Sequence, residues 1–292
     1  MNFKVMKDFL LNMKGCEFMT HNYWKNKDDR RQKAIDWKNK MEKHCKDYIE
    51  YSVKNSVIYD NQPIDRTLGK SIGVEFYFEN LTSVEAIFKM RSQFKGKTAV
   101  LNFASYKNPG GMFLNGSSAQ EESLCHSSTL YNVLSQLDDK FYYPNRKRLN
   151  RSLYSDNLIY SPEILFFLDG EKTICDVITC AAPNKAAAQK YHNVSGRENY
   201  EALQSRIAHI IAAAKDQKVV NLIIGAFGCG VFGNDAREVG HIFSEELSNG
   251  AEHGIENVMI AIPRFNANDH TMDLFMEGFD DKTEYYKDME RI

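Results

Sequence analysis

From Asp28 to about Tyr59 the sequence is highly charged, yet Trp37, Met41, Cys45, Ile49 and Val53 recur at every fourth place. That interval predicts one long amphipathic helix with a single apolar face, ended by Asn61, Gln62 and Pro63. Such a stripe serves packing more often than partner binding. Ile72 to Phe78 reads as a first strand.

Beyond Leu81 the pattern alternates between strand-like apolar runs and helical spacing. Thr98 to Phe103 is a buried strand and Ser118 to Leu137 a helical region, and Ile164 to Leu168 and Ile174 to Thr179 are strands joined by an Asp169-Gly170 turn. Ser195 caps a helix carrying Leu203, Ile207, Ile210 and Ala214, and Val219 to Ile224 forms the next strand. A glycine loop follows, then a helix with Val239, Ile242, Phe243 and Leu247, the strand Asn257 to Ile262 and a helix near Met272 to Phe279. This order predicts an α/β protein with a three-layer α/β/α arrangement, whose ligands belong at the carboxyl ends of the strands.

Two windows carry chemistry. The first runs VLNFASYKNPGGMFLNGSSAQEES from Val100, and brings a strand, a glycine turn and the acceptors Gln120, Glu121 and Glu122 into one short stretch. Glycine lets a backbone approach a ligand closely, and adjacent carboxylates can move protons or hold hydroxyl groups, so a sugar or sugar nucleotide fits. Neighbours on a strand or a helix point in different directions, which gives Glu121 and Glu122 separate tasks. The second window, Gly225 to Asn234, follows a very apolar strand and precedes a helix. Its backbone N–H groups can cradle a diphosphate, or the glycines can simply serve a tight turn. It lacks the Lys-Ser/Thr ending of a P-loop and has no Rossmann fingerprint.

Taken together, Asn102-Phe103-Ala104-Ser105, Asn108-Pro109-Gly110-Gly111, Gln120-Glu121-Glu122-Ser123 and the second glycine loop resemble the signature of microbial-type poly(ADP-ribose) glycohydrolases, which are macrodomain enzymes. The resemblance runs from about Arg30 to the C-terminal strand. It implies a helical accessory region over residues 1–80 and a macrodomain-like catalytic domain over 81–292. It also implies cleavage of the ribose glycosidic linkage of poly- or mono-ADP-ribose, with Glu122 as general acid and then base and Glu121 contacting the ribose. Gln120 becomes a supporting or ribose-facing group. Asn108, beside Gly110 and Gly111, holds the distal ribose, and Asn102 fixes the loop through backbone hydrogen bonds. Gly228, Cys229, Gly230 and Val231 become the diphosphate loop, and Phe232 packs on the ribose being cleaved. Met112 stands where the family carries a third glycine, implying a stiffer loop or a narrower mouth. Thr179 to Asn184 resembles another family segment, its small residues leaving room for a ligand or a crossing loop. The implied partners are ADP-ribose and ADP-ribosylated protein or poly(ADP-ribose), with no cofactor and no metal. Two alternatives stay open: a binding module without turnover, and hydrolysis of another ADP-ribosyl linkage.

Composition agrees without adding to this. The 292 residues are 43% hydrophobic, enough for a sizeable core, and 37 basic against 39 acidic residues leave a net charge of −2, which gives no reason to expect direct nucleic-acid binding. The basic run Asn145 to Arg151 reads as a solvated loop. Six cysteines, at 16, 45, 125, 175, 180 and 229, show no zinc-like spacing, and the eight histidines form no HxH or HxxxH pair. Cys229 has no evident histidine partner and reads as a small loop residue, and His126 as a solvent-facing or capping group. The first residues lack a signal-peptide core and no run approaches about 20 apolar residues, so the chain is expected in the cytoplasm, away from membranes.

Overall fold

The computed structural model describes residues 26–60, 73–248 and 254–280. Asn61, Gln62, Pro63, Ile72 and Cys16 lie outside them. The strands are β1 (Val57–Tyr59), β2 (Glu75–Glu79), β3 (Thr98–Phe103), β4 (Leu158–Leu168), β5 (Glu171–Cys180), β6 (Asn221–Ile224) and β7 (Asn257–Ala261). The helices are α1 (Lys27–His44), α2 (Lys46–Asn55), α3 (Ser83–Gln93), α4 (Gln120–His126), α5 (Leu130–Leu134), α6 (Tyr143–Arg146), α7 (Lys185–His192), α8 (Gly196–Asp216), α9 (Ala236–Ser248) and α10 (Thr271–Asp280).

All seven strands form one sheet in the order β1-β4-β5-β3-β6-β7-β2. The stretch from β5 to β2 is parallel, and β4 and β1 are added antiparallel at one edge. The side-chain period of two sorts the core by parity. Leu101, Leu222, Ile224, Val258 and Ile260 face α8, α9 and α10. Val100, Ile223 and Met259 face the opposite way, onto α1 to α5. The expected three-layer α/β/α architecture is what the chain forms. No helix among the described residues is long and apolar enough to cross a membrane.

The helix expected over 28–59 is two helices and a strand. A four-residue interval overshoots the 3.6-residue turn by about 40° per step, so five such positions drift across about 160° of a straight helix. The chain breaks at buried Cys45, and α2 again lays Ile49 into the same core as Ala34 and Met41. Val57–Tyr59 then pairs with Tyr160 to Leu158. Residues 26–60 therefore share the core of the sheet. Trp37 donates from Nε1 to the Ser128 carbonyl at 2.9 Å, and Arg30 donates from Nε to the Gly116 carbonyl at 2.6 Å, so α1 braces the first loop.

Two other boundaries moved for identifiable reasons. The helical region 118–137 is interrupted because Thr129 N–H bonds Leu165 O and Phe167 N–H bonds Ser127 O, drawing that backbone onto β4. Strand β4 starts six residues before the expected Ile164, crossing Ser161-Pro162-Glu163 through a bulge in its register with β5. A proline inside a strand is tolerated at such a bulge. Ser195 does cap α8, in a reciprocal pairing with Glu198.

Candidate active site

Strands β3 and β6 are parallel neighbours, so the loops leaving their carboxyl ends lie side by side although about 120 residues separate them in sequence. The ladder between them ends at Val100 and Ile223, before β3 does. There the Gln120 amide takes over. Its Oε1 accepts from Phe103 N–H at 2.8 Å, and its Nε2 donates to Leu101 O at 2.9 Å and to Ser83 Oγ at 3.0 Å. Gln120 thus satisfies backbone groups that β6 no longer reaches, and pins the start of α4 to the end of β3. Of its two expected roles the supporting one matches this geometry, since its amide is engaged with protein.

With α4 so placed, Glu121 and Glu122 occupy its first turn and reach back to the first loop. Glu121 is buried, its Oε1 accepting from Asn102 Nδ2 at 3.2 Å and its Oε2 from Ser105 N–H at 2.7 Å. Burial pushes its carboxyl up to about 8, against the Ser105 hydrogen bond, and the charge of Glu122 adds to the rise. A carboxyl raised this way favours its protonated form. Glu122, also buried, accepts from Met112 N–H at 2.8 Å through Oε1, while its Oε2 has no hydrogen-bond partner among the described residues. Glu122 Oε2 is thus a buried acceptor that the described protein groups leave unsatisfied.

The two glycines are packed against different groups: a Cβ on Gly110 would lie 2.7 Å from the Tyr131 ring, whereas Gly111 faces the carboxylates. A Cβ on Gly111 would stand 2.4 Å from Glu122 Oε1 and 2.9 Å from Glu121 Oε2, and its φ of +62° is left-handed. Met112 needs no such freedom. Its φ is −108°, so a side chain is accommodated there and 45% exposed, while its N–H anchors Glu122.

Asn102 departs from expectation. It bonds side chains, Glu121 and Thr179 Oγ1 at 3.3 Å, and its Oδ1 is buried without a hydrogen-bond partner among the described residues. Asn108 is exposed at the turn, where its carbonyl accepts from Gly111 N–H at 3.0 Å. His126 is corrected outright. It is buried edge-on against Phe113, and burial holds it down at about 4.

The second loop is closed by Asn234, whose Nδ2 donates to Pro183 O at 2.8 Å and to Gly228 O at 3.2 Å. Gly228, at φ +75°, passes so close to Ala182 that an added Cβ would lie 2.5 Å from the alanine's own. The small residues after β5 therefore make room for a crossing loop. Gly230 faces open space and Val231 is exposed. Burial pushes the Cys229 thiol up to about 12, which disfavours the nucleophilic thiolate. Phe232 is half-buried, edge-on to Tyr154 at 6.1 Å, and Tyr154 stacks on Tyr106 at 4.2 Å.

A cavity of about 390 Å³ runs between the loops, walled by Ser83, Gln120, Ser123, Cys229, Gly230 and Phe265 among others. Glu121 and Glu122, turned back to the first loop, are not in its wall. Sequence reasoning assigned no role to Ser105, Tyr106 or Tyr154, and named Thr179 only as part of a family-like segment. Ser105 was visible inside the signature window, but only packing assigned its N–H to Glu121.

The carboxyl of Glu121 supplies a pH prediction. Its value is about 8 folded against 4.5 for the free group, so the native state binds more protons in that window and stability falls as pH rises through it. Glu121→Gln should remove about one proton's worth of that slope. Equal pH dependence of urea unfolding in wild type and variant between those limits would refute the assignment.

Comparison with known proteins places this geometry. The family model described as the microbial-type PARG catalytic domain matches residues 30–169. A poly(ADP-ribose) glycohydrolase from Deinococcus radiodurans, solved in complex with ADP-ribose, is 30% identical with a TM-score of 0.73, over 80% of this chain and 97% of that one. The enzyme from Thermomonospora curvata, bound to the inhibitor ADP-HPD, is 29% identical with a TM-score of 0.76, over 85% and 98%. No curated protein matches.

Proposed function

We propose that this chain, which belongs to the microbial-type poly(ADP-ribose) glycohydrolase family, hydrolyses poly(ADP-ribose) and releases ADP-ribose, with Glu122 as its acid and base. The observation that carries the residue assignment is the free Oε2 of a buried Glu122 whose other oxygen is fixed by Met112 N–H. Cleavage needs a proton on the departing oxygen as the anomeric carbon gains oxocarbenium character, and then a base to activate water. A carboxyl anchored at one oxygen can do both in turn. Glu121, held by Asn102 and Ser105, contacts the ribose, Asn108 serves the distal ribose, and residues 228–231 take the diphosphate. Phe232 presses on the ribose being cleaved, backed by Tyr154.

All of these residues lie within 81–292, while residues 26–60 brace the first loop through Arg30 and the segment after α4 through Trp37. That is the division of labour we assign to the accessory region. Five described cysteines are free thiols, four of them buried, which supports a reducing, cytoplasmic setting.

Incubation with poly(ADP-ribose) and with singly ADP-ribosylated protein, following free ADP-ribose, tests the reaction. Release from polymer is the expected result, and binding without release from any substrate would sink it. Gly230 tests the loop. An added Cβ there meets no protein atom within 4 Å, so Gly230→Val should fold normally yet project into the cavity. Affinity for ADP-ribose should fall by more than about 1–2 kcal/mol, the scale of lost hydrogen bonds. Unchanged affinity by calorimetric titration would remove this loop from the site.

A further inference from the structure

Between Asp139 and Asp156 the chain carries Lys140, Arg146, Lys147, Arg148 and Arg151 and no acidic residue, although the whole protein is net negative. This strap is built onto both loops of the site. Arg146 donates from Nη1 to Lys107 O at 2.8 Å, beside the Asn108-Pro109-Gly110 turn, and Tyr106 donates its hydroxyl to Arg148 O at 3.1 Å. Tyr154, at the strap's end, lies between the Tyr106 ring and Phe232 of the second loop. Asn184 N–H, beyond β5, bonds Ser152 O at 2.9 Å.

The backbone pays conformationally for this position. Asn150, Arg151, Ser152 and Tyr154 all have positive φ, between 42° and 68°. None is glycine, and such clustering marks sites where the surroundings enforce a path. Asn150 Nδ2 bridges to Tyr154 O at 2.9 Å across the bend. Two of the cations are spoken for, Arg146 by Asp138 and Arg151 by Glu198, each at 2.7 Å. Lys147 and Arg148 are exposed and make no ion pair among the described residues.

We propose that this strap binds the diphosphate of the ADP-ribose unit next to the one being cleaved. The inference rests on the functional reading given above. The second loop provides backbone donors for one diphosphate, and the strap lies outside it, behind the aromatic assigned to the cleaved ribose. A polymer continues from that ribose as a further ADP-ribose unit, bringing two more negative charges to Lys147, which lies over the Tyr143 ring at 4.0 Å, and to Arg148, neither of which is held in an ion pair among the described residues. A singly modified protein offers no such repeating charge. The basic run is thus a substrate surface in place of the solvated loop its composition suggests.

The test is the full chain carrying Lys147→Glu and Arg148→Glu, beside the milder Lys147→Gln and Arg148→Gln pair. At low ionic strength the KM for long poly(ADP-ribose) should rise about tenfold in the Glu pair and less in the Gln pair, with kcat little changed. The salt dependence of KM should flatten, as it does when phosphate contacts are lost. Affinity for free ADP-ribose and the melting temperature should match wild type. A KM for polymer equal to wild type at low salt would overturn the proposal. So would a single-stranded oligonucleotide of matched charge that competes as well as polymer, which would make the strap a nucleic-acid surface. Failure of the underlying functional reading shows separately, as wild type that neither binds nor releases ADP-ribose, and takes this proposal with it.

Discussion

Glu122→Gln should lose about 10²–10⁴-fold in turnover, the usual contribution of a general acid–base group, while ADP-ribose affinity stays near wild type. The amide keeps the shape and can still accept from Met112 N–H through its oxygen, so α4 and the first loop stay in register. What disappears is the transferable proton at the oxygen that has no protein partner. Glu121→Gln should behave differently. An amide has one acceptor where Glu121 uses two, so either Asn102 or Ser105 loses its partner, and binding should weaken together with rate. Release rate and ADP-ribose dissociation constant, measured for both variants after matching melting temperatures, separate the two roles. Near-normal turnover in Glu122→Gln would show that the catalyst lies elsewhere. Tight binding by wild type and variant, with release by neither, would favour a binding module.

The largest stability effect should come from Arg206, 1% exposed on α8. Its guanidinium pairs with Asp156 at 2.8 Å and donates to the carbonyls of Leu153, at 3.1 Å, and of Ala181. Burial works against ionised Asp156, but Arg206, Ser205 and His209 outweigh it and hold the carboxyl below its usual range. Arg206→Met keeps the volume, orphans two carbonyls and leaves a partly exposed carboxylate unpaired. Breaking such a pair costs about 3–5 kcal/mol when both charges are buried. With Asp156 a quarter exposed, about 3 kcal/mol is expected, or a melting temperature lower by roughly 6–12 °C. The exposed Arg197–Glu201 pair is the control, and Arg197→Ala should move the transition little. A shift in Arg206→Met no larger than that control would refute the account. Because Ala181 and Leu153 flank the loop-crossing segment and Tyr154, lost activity should accompany lost stability.

Much of this molecule was legible along the chain because its informative signals are local. Parity in Ala99-Val100-Leu101 and in Leu222-Ile223-Ile224 sorts side chains between two faces. A Ser-x-x-Glu spacing starts α8, and Asp169-Gly170, both at positive φ, turns β4 into β5. The errors fell where local pattern meets long-range pairing. Cys45 reads as one more member of a stripe, Leu158 to Glu163 as lying outside the strand that begins at Ile164, and Ser127 to Thr129 as helix, until partners many residues away claim their backbone.

Residue identity and short-range spacing were enough for the central strands β3, β5, β6 and β7, the two glycine loops and the chemical types gathered in them, but not for β1 or the start of β4. Only the tertiary structure decided that the two loops are neighbours, because the order β5-β3-β6-β7 is not the order of the chain. It decided that Gln120 completes an unfinished strand edge and that His126 is buried. It also separated Glu121 from Glu122, two identical side chains in adjacent positions. Their difference lies in which N–H each carboxylate meets, Ser105 for Glu121 and Met112 for Glu122, and those contacts exist only once the loop, the helix and the sheet have packed together.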